Sequence, residues 1–486
     1  MDMENEKIDI AEIAALGIHH EKLQTDFYRV ANGLLRHQVM DKSSLMAHLE
    51  MVLKHPELYA EKRENKFKNL AKRVMELRKQ GVLTSEGGNY YALREEKIPF
   101  AVFGAEQIEA GAYAQMETAA RLPIALAGAL MPDAHQGYGL PIGGVLATDP
   151  GTVIPYAVGV DIACRMCMSI FDLPSSVVDG EKAKLEKLLM DHTHFGMGAT
   201  TKVHLDTSLF DRKEWTEVKT VKALKDKAYA QLGTSGTGNH FVEWGELTVE
   251  ENAFPGLPAG RYLALLSHSG SRGFGGNIAH IYSTIAMKKS VLPKEARHLS
   301  WLDLDSEEGQ EYWIAMNLAG DYASANHHEI HHKIARALGQ KPLQRIENHH
   351  NFAWKEQLPD GREAIVHRKG ATPAGAGVIG IIPGSMSTPG FVVRGKGNRE
   401  SLHSAAHGAG RVMSRSAAFK NLEKRQVDEE LSRKGVTVIG SGLDEAPMVY
   451  KDIHAVMDAQ SDLVEILARF QPRIVRMADP REKPED

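Results

Sequence analysis

The spacing of hydrophobic positions divides the chain near residue 92. Upstream of that point apolar residues recur three or four positions apart, as at Leu45, Leu49 and Leu53, which indicates amphipathic helices. The run Asp41-Lys-Ser-Ser, just before this stretch, is typical of a capped helix start. The pattern therefore predicts a helical region over residues 1–92.

Downstream of about Ile98 the chain consists of short apolar runs interrupted by glycine, which is typical of buried strands that end in glycine-rich loops. We expect such strands around residues 143–146, 158–162 and 262–266. Helical periodicity returns twice, and it predicts one helix over Glu307–Leu338 and a second over His454–Phe470. The sequence thus predicts an α+β (mixed α/β) fold in which residues 93–486 form one large domain.

Composition narrows the class of protein. The 486 residues include only two cysteines, which excludes a disulfide scaffold, and apolar stretches such as Leu122–Met131 are too short to cross a membrane. The N-terminus has no cationic, apolar leader pattern, so we expect a cytoplasmic setting. The net charge of -5 argues against a general nucleic-acid coat. We interpret the basic run Lys62–Lys79 as a solvated helix face, with an RNA-backbone contact surface as the alternative.

The 23 histidines direct attention to chemistry, because histidine is the commonest metal ligand and acid/base group. The first candidate segment is Met131–Gly144, in which Asp133 and His135 stand beside four glycines. Such a strand-to-loop transition suits the close approach of a phosphate or a metal. A turn whose polar groups only satisfy backbone donors is the alternative.

Both cysteines lie in Val158–Cys167, with Cys-x-x-Cys spacing. A four-ligand zinc ribbon would need a second cysteine pair, which the chain lacks, and a thioredoxin-like redox pair would usually open a helix. Asp161 and Cys164 fit better as a carboxylate and a thiolate that share a metal where a strand ends, since a thiolate can bridge two ions. A buried, inert cysteine is the alternative.

Three further segments each present a histidine in a polar, tight context, at His240, His268 and His350. Together with Asp161 and Cys164 they complete a nitrogen, oxygen and sulfur ligand set for two ions. This mixed set suits manganese, zinc or iron alike. The glycines after His268 could leave backbone N–H groups free for an anion, with Arg272 available to a phosphate.

The last candidate segment is His407-Gly-Ala-Gly, whose small residues allow a bulky nucleotide phosphate to come close. Arg411 and Arg415 are four positions apart, and we expect them to share one helix face. Imidazole can attack phosphorus when a metal and arginines neutralise the transferring group. A helix N-terminus with an exposed histidine is the alternative.

A separate pattern, His328-Glu329-Ile-His-His332, matches the H-E-x-x-H motif of zinc peptidases on a predicted helix. A third ligand would have to come from elsewhere, and His327 and His331 beside the motif show that the stretch is simply rich in histidine. A peptidase is therefore disfavoured.

Taken together, these motifs resemble the RtcB family of RNA ligases, in the family's order and from about Ile98 to Tyr450. The resemblance implies the family's mixed α/β fold, with residues 93–486 as the catalytic domain. It also implies a two-manganese site in which Cys164 bridges, Asp161 and His240 complete the first ion, and His268 with His350 hold the second. His407 resembles the family's nucleophile, which becomes guanylylated by GTP.

Further residues match stretches that hold the guanylate in that family, and Tyr450 resembles a residue that packs near the guanine. The nucleotide-binding residues implied in this way are Asn239, His240, Phe241, Val242, Glu243, His350, Asn351, Pro383, Gly384, Ser385, Met386, His407, Gly408, Ala409, Gly410 and Tyr450. This chain departs from the pattern at Arg165, where glycine is usual, and at its end, where Arg473–Met477 and a charged tail replace a lysine-glycine terminus.

The implied function is a GTP- and manganese-dependent ligase for RNA repair or tRNA splicing. Its substrates would be RNA ends with a 3′-phosphate or 2′,3′-cyclic phosphate and a 5′-hydroxyl, and a protein partner could activate it. Two alternatives remain open at this point. A metal-dependent RNA-end phosphoesterase would keep the metals without a nucleotide adduct, and a non-catalytic RNA-end binding relative would bind RNA and ignore GTP.

Overall fold

A computed structural model describes residues 7–482 apart from 15, 17, 19, 61–64, 81, 82, 84–88, 252 and 255. The acidic start of the chain, part of the basic run (Lys62 and Arg63) and the last residues of the charged tail lie outside the described residues.

Five helices form the N-terminal region: α1 Ile10–Ala14, α2 Glu21–Arg36, α3 Lys42–Lys54, α4 Glu57–Ala60 and α5 Lys68–Lys79. The predicted cap of α3 is confirmed, because the Asp41 carboxylate accepts the backbone N–H of Ser44 at 2.9 Å. These helices enclose a hydrophobic cluster of their own, drawn from residues 8–83, that includes Leu23, Phe27 and Leu49.

The larger part of the chain alternates helices and strands. Its first half contains β1 Asn89–Tyr90, β2 Phe100–Val102, α6 Ala110–Ala120, β3 Ala125–His135, β4 Ile142–Thr148, β5 Thr152–Val153, α7 Pro155–Val158, β6 Arg165–Pro174, α8 Val177–Gly180, α9 Lys182–His192, α10 Glu214–Glu217, α11 Lys219–Gln231, β7 Phe241–Val249, β8 Gly260–Ser269, α12 Arg272–Lys289, β9 Ser290–Val291 and β10 Leu302–Asp303.

The second half begins with the longest helix. It contains α13 Glu307–Leu338, β11 Pro342–His349, β12 Asn351–Gln357, β13 Glu363–Lys369, β14 Ala371–Pro373, β15 Ile379–Ile382, β16 Gly390–Gly395, β17 Ser404–Ala406, α14 Arg415–Asn421, α15 Lys424–Lys434, β18 Thr437–Ile439, α16 Ile453–Asp458 and β19 Val464–Arg476.

One large sheet carries most of the site. Its strand order is β11-β6-β8-β7-β19-β16-β15, and β18 pairs in parallel with β19. The pairs β6–β8 and β7–β8 are antiparallel, and their register places Cys167 opposite Ser267 and Phe241 opposite His268. Because neighbouring residues of a strand point to opposite faces, Ser267 and His268 serve different sides of the sheet.

A second sheet has the strand order β12-β13-β4-β3-β2. The chain passes from the first sheet into the second at residues 349–351. Strand β11 ends at His349 and β12 begins at Asn351, so His350 lies at the junction of the two sheets. Strands β14 and β17 form a separate antiparallel pair that ends next to His407.

The helix predicted over Glu307–Leu338 is confirmed with the same bounds. The Ser306 hydroxyl accepts the N–H of Gly309 at its start, and Gly339 ends it in the left-handed conformation with φ 77°. Its buried face packs against the large sheet through Ile330 and Ile334, which share a hydrophobic cluster with Trp244 of β7.

Two predicted elements are wrong. The segment expected to form one helix over His454–Phe470 contains only the short helix α16, which is followed by strand β19. The second part forms a strand because it pairs with β7 on one side and with β16 on the other. Tertiary pairing thus overrides the helical propensity of Glu-Ile-Leu-Ala-Arg. The strand expected at 158–162 is instead the end of α7 and a turn, since Gly159 adopts φ 106°.

The predicted strands at 143–146 and 262–266 are confirmed as parts of β4 and β8. The fold class is confirmed as well: the described chain is a mixed α+β structure with a helical N-terminal region. Within the described residues, no helix is both long enough and apolar enough to span a bilayer.

Candidate active site

The turn between α7 and β6 positions Asp161 and Cys164. Its shape depends on Ala163, which adopts φ 56°, a left-handed conformation that is unfavourable for a residue with a Cβ. The turn is anchored because Ala163 N–H donates to the Asn351 carbonyl at 2.7 Å. Gly270 is required beside it, since a Cβ there would come within 2.0 Å of Asp161 Oδ1.

The three predicted histidines converge on this turn from three strand ends. His240 precedes β7, His268 belongs to β8, and His350 follows β11. Cys164 Sγ lies 3.4 Å from His240 Nε2 and 3.0 Å from His268 Nε2. His240 Nε2 lies 2.9 Å from Asp161 Oδ2, and His268 Nε2 lies 3.2 Å from His350 Nε2.

These five side chains form two ligand groups that share one sulfur. One group is Asp161, Cys164 and His240, and the other is Cys164, His268 and His350; the ligand atoms within each lie within 4.8 Å of one another. The five together supply the mixed nitrogen, oxygen and sulfur set that divalent transition metals accept. The structure thus brings together all five residues of the predicted metal site.

Burial keeps His268 and His350 in the neutral form that metals require. It lowers the pKa of His268 to about 3 and holds the pKa of His350 well below its usual range. Burial acts to raise the pKa of the Asp161 carboxyl, but the charge and hydrogen bond of His240 outweigh it, so that this pKa lies below its usual range. The cluster is therefore suited to bind cations.

His407 follows β17 and is oriented by a carboxylate from β3. Asp133 Oδ2 lies 2.6 Å from His407 Nδ1 and also accepts the backbone N–H of His407 at 3.1 Å. Since a carboxylate can only accept, Nδ1 carries a proton and donates, which leaves the lone pair of the neutral ring on Nε2. The His407 and His350 rings lie 4.9 Å apart, between centroids. The imidazole is thus held with the Nε2 lone pair free, beside the two ligand groups.

A cavity of about 260 Å³ extends from His407 and the cluster, close to the smallest size typical of small-molecule sites. Most of the predicted nucleotide-binding residues line it: Asn239, Phe241, Glu243, His350, Pro383, Gly384, Ser385, Met386, His407, Gly408, Ala409, Gly410 and Tyr450. Three do not. His240 lines a neighbouring cavity, Val242 packs in the core on the opposite face of β7, and Asn351 holds the Asp161 turn.

The far end of the cavity contains a buried ionic group. Tyr450 O–H donates to Glu445, which also accepts from Arg415, and Arg411 lies over the Tyr450 ring at 5.5 Å. Burial raises the pKa of the Glu445 carboxyl above its usual range, although Arg415 and Arg411 act in the opposite direction.

The helix face expected for Arg411 and Arg415 is wrong. Arg411 lies in an extended segment that bridges to Tyr450, whereas Arg415 begins α14. The two side chains still meet, because Glu445 is within reach of both. The helix N-terminus considered for His407 is also wrong, since that residue comes directly after a strand.

Several cavity residues escaped the sequence analysis. Glu445 carried no motif signal. Val475, near the end of β19, and Met477, just after it, also line the cavity, although in the sequence their segment stood out only as a departure from the family's terminus. Outside the cavity lining, burial lowers the pKa of Lys369 to about 7, and this side chain donates to the Tyr138 carbonyl. Asp133 was singled out, but its partner His407 is 274 positions away and could not be inferred.

The phosphate role expected for Arg272 is less direct than the sequence suggested. Arg272 is buried at the start of α12, where Nε donates to Thr234 Oγ1 at 3.0 Å and Nη2 donates to the Gly196 carbonyl at 2.7 Å. It lines the neighbouring cavity together with Asp161 and His240, and not the cavity that contains His407.

The arrangement is suited to metal-assisted phosphoryl transfer: an oriented imidazole, a two-ion ligand set and a cavity with cationic side chains. Comparison with known proteins agrees with this class. The family described as tRNA-splicing ligase RtcB matches residues 115–478 of the chain. The chain belongs to this family.

Individual relatives are similar over most of their length. The RNA-splicing ligase RtcB of Escherichia coli strain K12 is 35% identical over 415 residues, which cover 78% of this chain and 97% of that protein. The tRNA-splicing ligase RtcB of Thermococcus kodakarensis is 32% identical over 415 residues, 71% of this chain and 86% of that protein. The protein of the same name from Methanococcus maripaludis is 31% identical, with 74% and 89% covered.

Proposed function

We propose that this protein is a GTP- and manganese-dependent RNA ligase that joins a 3′-phosphate or 2′,3′-cyclic phosphate end to a 5′-hydroxyl end. The observation that carries the proposal is the placement of His407. Its Nε2 lone pair is fixed by Asp133, and its ring lies next to His350 of a ligand set that shares one thiolate. The family membership supports the same activity, because the relatives named above are RNA-splicing ligases.

Asp161, Cys164, His240, His268 and His350 would hold two manganese ions, with Cys164 in both sets. When bound, these ions supply positive charge that polarises phosphoryl oxygens and lowers the pKa of a coordinated hydroxyl group. A backbone hydrogen bond orients one of these ligands. His268 Nδ1 donates to the Asn239 carbonyl at 3.1 Å, so the lone pair of His268 lies on Nε2, which faces the other ligand atoms.

In the first step His407 Nε2 attacks the α-phosphorus of GTP. A phosphorus–nitrogen bond forms, the bond to the bridging oxygen breaks, and pyrophosphate leaves. Asp133 stabilises the imidazole as it acquires positive charge, because the carboxylate already accepts the Nδ1 proton at 2.6 Å. The three small residues that follow His407 leave room for the phosphate beside the ring: Gly408, Ala409 and Gly410.

We assign the guanine to the part of the cavity between Phe241 and Tyr450. Both rings border the cavity and share one hydrophobic cluster with Met386. Glu243 lines the same space and is 3% exposed. Burial raises the pKa of its carboxyl well above its usual range, and the two hydrogen bonds from a bound guanine would favour the ionised form. Guanine offers two adjacent donors on its Watson–Crick edge, and a carboxylate accepts both, whereas adenine offers one donor beside an acceptor.

The RNA then accepts the guanylate. An oxygen of the 3′-phosphate attacks the phosphorus on His407, which frees the imidazole and leaves RNA with a good leaving group. The 5′-hydroxyl attacks the RNA phosphorus, a phosphodiester forms, and GMP leaves. A cyclic phosphate must first be opened to the 3′-phosphate. We propose that this reaction takes place in the cytoplasm, where Cys164 would remain reduced. We also propose that a protein partner activates the enzyme.

A ligation assay tests the proposal and its alternatives. Labelled RNA halves that end in 3′-phosphate, 2′,3′-cyclic phosphate or 3′-hydroxyl are each offered with a 5′-hydroxyl partner, manganese and GTP. We expect joined product from the first two only, and none when GTP is replaced by ATP. Glu243→Gln should narrow the preference for GTP over ATP by about tenfold, because one acceptor oxygen is lost.

The other outcomes distinguish the alternatives. Conversion of cyclic phosphate to monophosphate without joining and without need for GTP would contradict the ligase and indicate a phosphoesterase. RNA binding with no change at the ends would indicate a binding protein. Equal joining by His407→Ala would refute the nucleophile.

A further inference from the structure

A second cysteine–histidine cluster lies behind the candidate active site. Cys167, His327 and His331 each place one ligand atom within 4.8 Å of the others, and all three side chains are buried. Cys167 belongs to β6, whereas the two histidines are four residues apart on one face of α13. The cluster therefore joins the longest helix to the large sheet.

A hydroxyl marks the point on which the two imidazoles converge. Ser267 Oγ lies 2.6 Å from His327 Nδ1 and 2.8 Å from His331 Nε2. Ser267 pairs directly with Cys167 across β6 and β8, so its side chain shares a face of the sheet with the thiol. One thiol, two imidazole nitrogens and one hydroxyl thus surround the same small volume.

The remaining ring nitrogens are held by oxygen acceptors. His327 Nε2 lies 3.0 Å from the Ser269 carbonyl, and His331 Nδ1 lies 2.8 Å from Ser169 Oγ. A carbonyl can only accept, so His327 Nε2 carries the proton and Nδ1 presents a lone pair to the centre of the cluster. Outer hydrogen bonds of this kind are what orient metal-ligating histidines.

A metal-free chain of hydrogen bonds would also satisfy these groups. Ser169 O–H would donate to His331 Nδ1, His331 Nε2–H to Ser267 Oγ, and Ser267 O–H to His327 Nδ1. This chain of hydrogen bonds does not include the Cys167 thiol, however, although Sγ lies within 4.8 Å of a ring nitrogen of each imidazole. A thiol with two imidazoles at i and i+4 is a common zinc-binding combination.

We propose that Cys167, His327 and His331 bind a zinc ion, with the Ser267 hydroxyl as the nearest fourth donor, in a closed site separate from the candidate active site. On binding, the thiol releases its proton to solvent and a sulfur–zinc bond forms. The His331 proton moves from Nε2 to Nδ1, which then donates to Ser169. The mixed sulfur and nitrogen set in a tetrahedral number favours zinc over manganese.

The site has the closed character of a structural centre. Cys167, His327 and His331 are all 0% exposed, and none of them lines the cavity that contains His407. The ion would tie α13 to β6 and β8. Because Ser267 directly precedes His268, the same ion would also stiffen the strand that carries an active-site ligand.

Cobalt spectroscopy isolates the site, because the chain has two cysteines. The Cys164→Ser protein is produced with cobalt present during expression, which leaves Cys167 as its sole thiol. We expect a sulfur-to-cobalt charge-transfer band in this protein. The band should be lost when Cys167→Ser or His331→Asn is added. It should persist with His332→Asn, a matched change of an exposed histidine on the same helix.

Elemental analysis of the chain that retains Cys164 gives an independent result. We expect Cys167→Ser to lose about one zinc ion per chain relative to the parent. Absence of the charge-transfer band in Cys164→Ser, or unchanged metal content in Cys167→Ser, would overturn the proposal and leave the hydrogen-bonded chain as the role of these histidines. Neither result depends on ligation, so failure of this proposal is distinguishable from failure of the proposed function.

Discussion

The two cysteine–histidine clusters of this protein are built on the same strands yet differ in access. The cluster around Cys164 adjoins a cavity lined by His268, His350 and His407, whereas the cluster around Cys167 is enclosed between β6, β8 and α13. Ser267 and His268 are neighbours in sequence and serve one cluster each. A single strand thus supplies a reactive surface on one face and a closed contact on the other.

The difference lies in what surrounds the ligand atoms. At the Cys164 cluster a carboxylate and a further imidazole are close: Asp161 Oδ2 lies 2.9 Å from His240 Nε2, and the rings of His407 and His350 lie 4.9 Å apart between centroids. At the Cys167 cluster the neighbours are serine hydroxyls and a backbone carbonyl. Similar ligand types are therefore suited to a reaction at the Cys164 cluster, which adjoins a cavity and charged groups. At the Cys167 cluster, which is enclosed by neutral groups, they are suited to a structural role.

Loss of the shared sulfur should produce the largest effect. Cys164→Ala removes a ligand from both groups, so we expect formation of the nucleotide adduct to fall by about 10³-fold or more and the manganese content to drop. Adduct rates and metal content measure this directly. Cys167→Ala is the matched change at the closed cluster, and it should lower the melting temperature instead. Equal losses of adduct formation in the two variants would contradict the separation of roles.

Removal of the carboxylate that orients His407 should have the next largest effect. Asp133→Asn keeps the shape but offers an amide N–H to Nδ1, which favours the tautomer with its proton on Nε2. We expect the rate of adduct formation to fall by about 10²- to 10⁴-fold, with GTP binding changed little. Single-turnover rates and equilibrium binding separate these quantities. A weaker affinity at an unchanged rate would indicate that Asp133 only shapes the cavity.

Acid should destabilise the metal-free protein through both clusters. Burial lowers the pKa of His327 and of His268 to about 3, so below about pH 6.5 the unfolded state binds protons that the folded state does not. Stability is then fully present above pH 6.5 and is lost as pH falls toward the folded values. Each such histidine costs about 2 kcal/mol between pH 6.5 and pH 5.

Denaturant unfolding at several pH values measures that slope. His327→Asn removes one of the titrating groups and should flatten the decline by about one proton. An unchanged slope in this variant would contradict the prediction, because it would show that His327 takes up no proton on unfolding.

The smallest effect is expected at the peptidase-like motif. His332 is exposed, and His328 Nε2 donates to Glu347 Oε1 at 3.1 Å. Neither histidine belongs to a ligand group formed by the described residues. We expect His332→Asn to change the free energy of unfolding by less than about 0.5 kcal/mol. His331→Asn, one position earlier, should cost about 1–3 kcal/mol because it leaves buried hydroxyls unpaired. Equal effects would contradict the assignment of the buried face.

Much of the fold and of the site follows from local pattern. The bounds of α13 and the Asp41 cap could be predicted because periodicity and capping chemistry are local. Asp161, Cys164 and the three histidines could be grouped because each stands in a short polar motif next to an apolar run. The structure brings these five together from strand ends that converge at one edge of the large sheet.

The remaining features depend on contacts between distant segments. Strand β19 resembles a helix in sequence and becomes a strand only because β7 and β16 lie on either side of it. Glu445 could not be singled out from the sequence because its role depends on three contacts formed by the fold. It pairs with Arg411 and Arg415 and accepts the hydroxyl of Tyr450. The closed cluster combines a strand cysteine with histidines 160 or more positions away, so the two cysteines of the Cys-x-x-Cys spacing belong to two separate clusters.

Intact-mass spectrometry of the protein after incubation with GTP and manganese tests whether His407 is the nucleophile. We expect a mass increase equal to one guanylate in the parent chain, its absence in His407→Ala, and its persistence in His332→Asn. A guanylate on the His407→Ala protein, or no adduct on a parent chain with manganese confirmed as bound, would contradict the assignment of His407 as the nucleophile.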